Sequence, residues 1–429
     1  RCLRWAQRSI DSLGALPPSR ELALSYSTMA HLRLVGEDMA GAQAWSLRAI
    51  ELAEALDDAE SLCHAMNNLA CAILRVRDDA VAWERLARSL EIALRHGLVA
   101  DAARAYNNVF ILSVVHHDFA AGLRWAEQGL AFCDAHGLDV FSVRIGIRRA
   151  FARIVTGHWE LADAELAGIA ERHVPSPMES ATHAFVASLL AMRRGDPDAA
   201  ARLEAAVAAM QAHRVEIWFI TTAAARAESA WLRGDDDAVE EAARADLARV
   251  AAIGDRWRSG ELAAWLLRVG RPVDPLQLPD LPAPYALEIA GHWAEAARAW
   301  QALGCPYDRA LALCAGDEDA LTEALSIFEG LGARAAAARV RELLRERGAR
   351  RVPRGPQPRT RDDPLGLTAR ERQIFELLRS GASNAAIATQ LHRSERTVEH
   401  HVSALLRKLD VRSRVELLTR YPPSPPPGS

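Results

Sequence analysis

Through the first half of the chain, apolar side chains recur with a helical period, in paired segments joined by short polar turns. Leu62, Met66, Leu69, Ile73 and Val76 make one such stripe, and Trp83, Leu86, Leu90 and Ala93 the next. Displaced by 40 residues, the chain matches itself, so that Asn67-Asn68 returns as Asn107-Asn108 and His96-Gly97-Leu98 as His136-Gly137-Leu138. Asp38, Asp78 and Asp118 keep the same spacing of 40, as do Ile50, Leu90 and Leu130. Turn glycines Gly157, Gly195 and Gly234 carry the rhythm on at intervals of 38 and 39. A helix pair repeated at this interval cannot bury its apolar face alone and must stack, which predicts an all-α fold beginning with an α-solenoid.

The Asn-Asn pairs and Ala-rich second helices resemble a long-helix form of the tetratricopeptide repeat. The pattern predicts a solenoid over residues 1–254 with its first repeat truncated. Trp5 and Ile10 fall 40 residues before Trp45 and Ile50, so residues 1–14 read as the second helix of a pair whose partner is missing. With Arg at position 1, this predicts the C-terminal part of a longer polypeptide; a terminus left by processing is the alternative. Residues 271–284 hold five prolines, which no helix accommodates, and interrupt further helical repeats over 255–347. Residues 348–366 read as a Pro/Arg linker and 422–429 as a disordered polyproline tail.

Residues 367–421 carry a different pattern. Thr368 with Glu371 forms a capping box, Ile374, Phe375, Leu377 and Leu378 the buried stripe of a first helix, and Gly381 its stop. Ser383 caps a second helix with Ile387, Ala388 and Leu391 inward; after the turn His392-Arg393, Ser394 caps a third, with Val398, Val402, Leu405 and Leu409 inward. Two short helices joined by a tight turn, the second longer and basic, follow the helix-turn-helix plan. Opposite the buried stripe lie Arg396, His400, Ser403 and Arg407, the row that a major groove would meet.

Charge supports this division. The chain carries 52 basic and 56 acidic residues, a net −4. That sum hides −12 over residues 1–346, +6 over 347–361, −2 from Asp362 and Asp363 and +4 over 366–420, the asymmetry expected when one end meets a polyanion. The Arg-rich stretch 347–361 reads equally as a solvated linker or as an arm along a DNA backbone. Half of all residues (50%) are apolar, enough for a sizeable core, which excludes a disordered or collagen-like chain.

The residue count also limits the chemistry. Lys408 is the one lysine in the chain and precedes Leu409, so no Walker A phosphate loop can be built. No G-x-S-x-G, H-E-x-x-H or G-x-G-x-x-G occurs, and no enzyme, catalytic residue or cofactor is expected. Six cysteines without a C-x-x-C pair predict reduced, buried small hydrophobes in a cytoplasmic protein. His116-His117 and His400-His401 lack a third ligand, so packing or surface roles are expected and no metal. Trp45, Trp83, Trp125 and Trp159 fall at core spacing, and no membrane-length apolar run or signal peptide appears.

LTARERQIF, SGASNAAIATQL and SERTVEHHVSALLRKLDVRSRVEL together resemble the LuxR-type helix-turn-helix of bacterial transcription regulators. The resemblance implies double-stranded DNA as partner, the third helix in the major groove, and a homodimer through a fourth helix near Ser413 to Arg420. Carried over by position, with the exposed row, the base-facing set is Arg396, Glu399, His400, Ser403 and Arg407. The phosphate set is Arg370, Arg393, Thr397, His401, Lys408 and Arg412. Arg393 stands where the family has an apolar residue, Ala386 where Glu is common, and Glu399 where Lys is common. Residues 291–313 and the helix before the linker resemble the C-terminal half of large LuxR-type regulators with an N-terminal ATPase, implying that such a domain was upstream. The solenoid would then sense a protein or small-molecule ligand; the competing expectation is a protein-interaction scaffold working through the solenoid surface.

Overall fold

The computed structural model describes residues 2–172, 176–212, 221–349, 365, 367, 369–391, 393–409, 411 and 413–421. Most of the expected linker, the whole expected tail, Thr368, His392 and Arg412 therefore lie outside the described residues. Among the described residues the regular elements are helices, with no strand. The chain divides into two compact units, Arg1–Arg350 and Arg351–Ser429.

In the first unit, helices alternate between two layers. Arg20–Val35, Ala59–Leu74, Val99–Val115, Asp139–Val155, Pro177–Arg194, Thr222–Leu232 and Arg256–Arg268 form the inner layer. Met39–Ala55, Ala80–Arg95, Phe119–Ala135, Trp159–Ala170, Ala199–Ala212 and Asp236–Ala252 pack outside them, after an initial helix Cys2–Gly14. Burial separates the layers: Ala59–Leu74 buries eleven of 16 residues, Ala80–Arg95 only six of 16. An outer helix needs one apolar stripe, whereas an inner one is covered on several sides.

The repeated residues have identifiable tasks. The Asn pairs form a ladder across the inner helices: Asn68 Nδ2 donates to the Ser27 carbonyl at 3.0 Å, Asn108 Nδ2 to Asn67 Oδ1 at 2.7 Å, and Arg148 to Asn107 Oδ1. Each bond joins one repeat to the next, so the period seen in the sequence is the period of the stack. Gly97 and Gly137 end their helices at φ +65° and +66°, where a side chain would be strained. Asp38 and Asp118 accept from the amides of Gly41 and Ala121 as N-caps. The second position in that series differs, because Asp79 is the cap and Asp78 instead accepts from Trp83 Nε1 at 2.8 Å. Two further expectations are corrected. Of the four Trp at core spacing only Trp159 is fully buried, Trp45, Trp83 and Trp125 being half-buried at the edge of the stack. All six cysteines are free thiols, but Cys2 is exposed because its helix has a neighbour on one side only.

The array curls until its ends meet. Glu37, at the end of the first inner helix, ion-pairs with Arg75 of the next repeat and with Arg249 and Arg258 more than 200 residues further on. After Arg268 the chain passes a short 3₁₀ turn, Pro275–Gln277. Helix Ala283–Ile289 starts inside the Pro-rich stretch, since Pro284 in a first turn loses no intrahelical bond. Helices Trp293–Ala302, Pro306–Leu313, Glu318–Gly330 and Arg334–Glu346 follow. They pack back on the array: Tyr307 donates to Glu228 at 2.7 Å and Arg334 pairs with Asp196 at 2.8 Å. His117 stacks on Trp257 at 3.6 Å between ring centroids, so it serves packing. Gly157, at φ +81°, leaves room for Leu331 and Pro306, which a Cβ there would meet at 2.9 Å.

The second unit contains Ala369–Arg379, Asn384–Gln390, Glu395–Lys408 and Arg414–Arg420. One core joins them, built from Leu367, Ile374, Phe375, Leu378, Ile387, Ala388, Val398, Leu405, Leu409, Val411 and Leu417.

Candidate nucleic-acid interface

Local sequence sets the frame of this module. Gly381, at φ +87°, closes the first helix, and the hydroxyls of Ser383, Ser394 and Ser413 accept the amides of Ala386, Thr397 and Glu416 as N-caps. Ser383 caps although Ala386 supplies no return bond. Four residues separate Gln390 from Glu395, so the second and third helices are held at a tight corner.

Val398 and Leu405 anchor the third helix in the core with half-buried Val402 beside them. The opposite face carries Arg396, Glu399, His400, Ser403 and Arg407, all exposed. None of these five side chains has a hydrogen bond or ion pair. The row runs along nearly the whole helix, which is 14 residues and therefore about 21 Å long. That length suits a major groove about 12 Å wide.

The six residues assigned to phosphates do not behave alike. Arg393 is exposed and uncommitted. Thr397 shares its hydroxyl with Ser394 at 2.7 Å, inside the cap. Arg370 gives Nη1 to Gln373 and Nη2 to the Leu391 carbonyl, each at 3.0 Å, and so closes the end of the second helix. His401 is half-buried, and Arg412 lies outside the described residues. Lys408 Nζ sits 2.8 Å from Glu371 Oε2 on the first helix, a partner the sequence pattern had assigned to a capping box. Three further arginines serve the fold: Arg379, Arg414 and Arg420 donate to the carbonyls of Tyr421, Ala382 and Leu409. Their position at helix ends, where carbonyls lack helical partners, is the only sequence sign of that use.

The Glu371–Lys408 pair predicts a mild brake on phosphate contact. Glu371→Gln should raise affinity for duplex DNA by up to about fivefold, the value of a partly exposed ion pair of at most ~1 kcal/mol. Fluorescence anisotropy at about 0.1 M salt measures it; an unchanged or weaker affinity would show that Lys408 does not reach a phosphate.

A capped helix-turn-helix with an uncommitted polar row on its second helix defines the class of groove-reading modules. Residues 365–420 match the family model described as bacterial regulatory proteins, luxR family. The spore germination protein GerE of Bacillus subtilis is 46% identical over 56 residues, 12% of this chain and 76% of that protein. The nitrate/nitrite response regulator protein NarP of Escherichia coli is 40% identical over 103 residues, 23% of this chain and 42% of NarP. DevR/DosR of Mycobacterium tuberculosis, described as a DNA-binding transcriptional activator, is 40% identical over 72 residues, 16% of this chain and 33% of that protein. The chain belongs to the LuxR family of bacterial regulatory proteins. It spans less than half of NarP and a third of DevR/DosR, and these likenesses leave most of the first unit uncovered. Among solved structures, a circular tandem repeat protein with novel repeat topology covers 97% of this chain, at 90% of its own length, with 16% identity and a TM-score of 0.15, too loose a superposition to carry an argument. Among the described residues no helix is long and apolar enough to cross a membrane.

Proposed function

We propose that this chain is a sequence-specific DNA-binding transcription regulator, with helix Glu395–Lys408 in the major groove and the repeat array sensing a protein or small-molecule signal. The uncommitted exposed row Arg396, Glu399, His400, Ser403 and Arg407 carries this reading, because a helix spending five polar positions on no internal bond is built for an external partner. Arg370, Arg393, Thr397, His401, Lys408 and Arg412 would meet phosphates. Val415, 74% exposed on the last helix, supports a homodimer formed there, which would place two recognition helices about 34–36 Å apart on a two-half-site operator. The activity proposed is cytoplasmic regulation without a cofactor, not catalysis.

The full chain, titrated with duplexes at increasing salt, tests this. About four phosphate contacts imply a loss of roughly 10²-fold in affinity between 50 and 200 mM salt. Absence of salt-dependent binding sinks the proposal. Lys408→Ala should weaken all sequences alike, whereas His400→Ala and Ser403→Ala should alter the sequences selected from a random pool.

A further inference from the structure

We propose that Glu399 makes the second unit select a cytosine in each half of its operator and penalises every duplex that lacks one there. The inference rests on the DNA-binding reading above and names the base that one side chain of the exposed row would read.

Every other described carboxylate of the second unit has a task in the fold. Glu371 holds Lys408 at 2.8 Å, and Glu376 holds Arg379 at 3.0 Å and Arg372 at 3.4 Å. Glu395 and Glu416 stand in the first turns of their helices, where free amides and the positive end of the helix dipole favour an acid. Glu399 does none of this. It lies in the second turn of Glu395–Lys408, past those amides, exposed and without a hydrogen bond or ion pair. Arg396 stands three residues before it, the spacing at which Glu376 and Arg379 pair, yet these two side chains leave each other free.

The chemistry of the groove then picks the base. Arg396, His400, Ser403 and Arg407 can each donate to guanine or to phosphate, whereas ionised Glu399 is the one member of the row that can only accept. Phosphate oxygens also only accept, so the carboxylate has to find its donor on a base edge. The major groove offers two, cytosine N4 and adenine N6, against the acceptors of guanine and thymine. Beside adenine N6 lies N7, whose lone pair faces an incoming carboxylate, while cytosine presents a C–H at that place. Cytosine is therefore the base from which Glu399 accepts. On any other base the carboxylate is stripped of water against acceptors, which costs about 5- to 150-fold in affinity. On unselected DNA it also repels the phosphates, so the same side chain lowers non-specific binding.

Selection of duplexes from a random pool by the full chain and by its Glu399→Gln variant tests this. The wild-type motif should hold a cytosine in each half-site that the variant replaces by adenine, the base whose N6 and N7 suit an amide, with the other positions kept. In anisotropy titrations, putting 2-pyrimidinone, which lacks only the amino group, in place of that cytosine should weaken the wild-type chain at least about fivefold more than the variant. The variant should bind unselected duplex at least about twofold more tightly than the wild type. A motif without a cytosine that depends on Glu399, equal sensitivity of both chains to 2-pyrimidinone, or weaker binding of unselected duplex by the variant overturns the proposal. Any of these with salt-dependent binding intact rejects the role of Glu399 alone; no binding of the wild-type chain to any duplex rejects both readings.

Discussion

Arg193→Met lowers the stability of the repeat unit by about 3–5 kcal/mol, because it leaves Glu228 charged and buried without its counter-ion. The two side chains are only 9% and 4% exposed, and Glu228 also accepts the hydroxyl of Tyr307. The Arg193 guanidinium lies 4.0 Å over the Tyr307 ring, so one substitution disturbs the seam between the inner layer and the later helices. In a scanning experiment the midpoint should fall by roughly 5–10 °C. Arg193→Met combined with Glu228→Leu should recover most of the loss, since a well-packed apolar pair replaces a buried ion pair at little cost. A single variant as stable as the wild type, or a double variant no better than the single, would contradict this account.

Leu405→Ala should abolish DNA binding while leaving the main unfolding transition of the repeat unit in place. Leu405 is fully buried at the centre of the second unit's core. Truncating such a leucine costs about 2–5 kcal/mol, comparable to the whole stability expected of so small a module. Thermal scanning paired with a DNA titration reads both halves of the prediction; retained binding would mean that the module's core is supported from elsewhere.

These two sites were not equally legible in the sequence. The helix-turn-helix could be read because its information is local: Ser383, Ser394 and Gly381 act within three residues of where they stand, and Val398 and Leu405 share a face by helical spacing. The repeats were legible because each Asn recurs where the next helix needs a partner. The cap shift from Asp78 to Asp79 escaped a strict interval of 40, since the cap must follow the helix start rather than the period. The Arg193–Glu228–Tyr307 seam and the Glu37 cluster had no signature. Each joins residues dozens to hundreds of positions apart, and in a chain with 56 carboxylates nothing local marks the few that end up buried. Lys408 and Arg370 show the same limit at the interface, where position suggested phosphates and the fold offers each an internal acceptor as well.

The ion pairs that tie Glu37 to Arg249 and Arg258 alter how the array should come apart. An open stack of repeats unravels from its ends, each pair losing one neighbour at a time. Here the first repeat is also a neighbour of the seventh, so fraying at either end removes a contact from the other. Denaturation should therefore be one concerted transition rather than a sequential melting, and deleting the first pair, residues 20–55, should loosen residues 236–268 as much as residues 59–95.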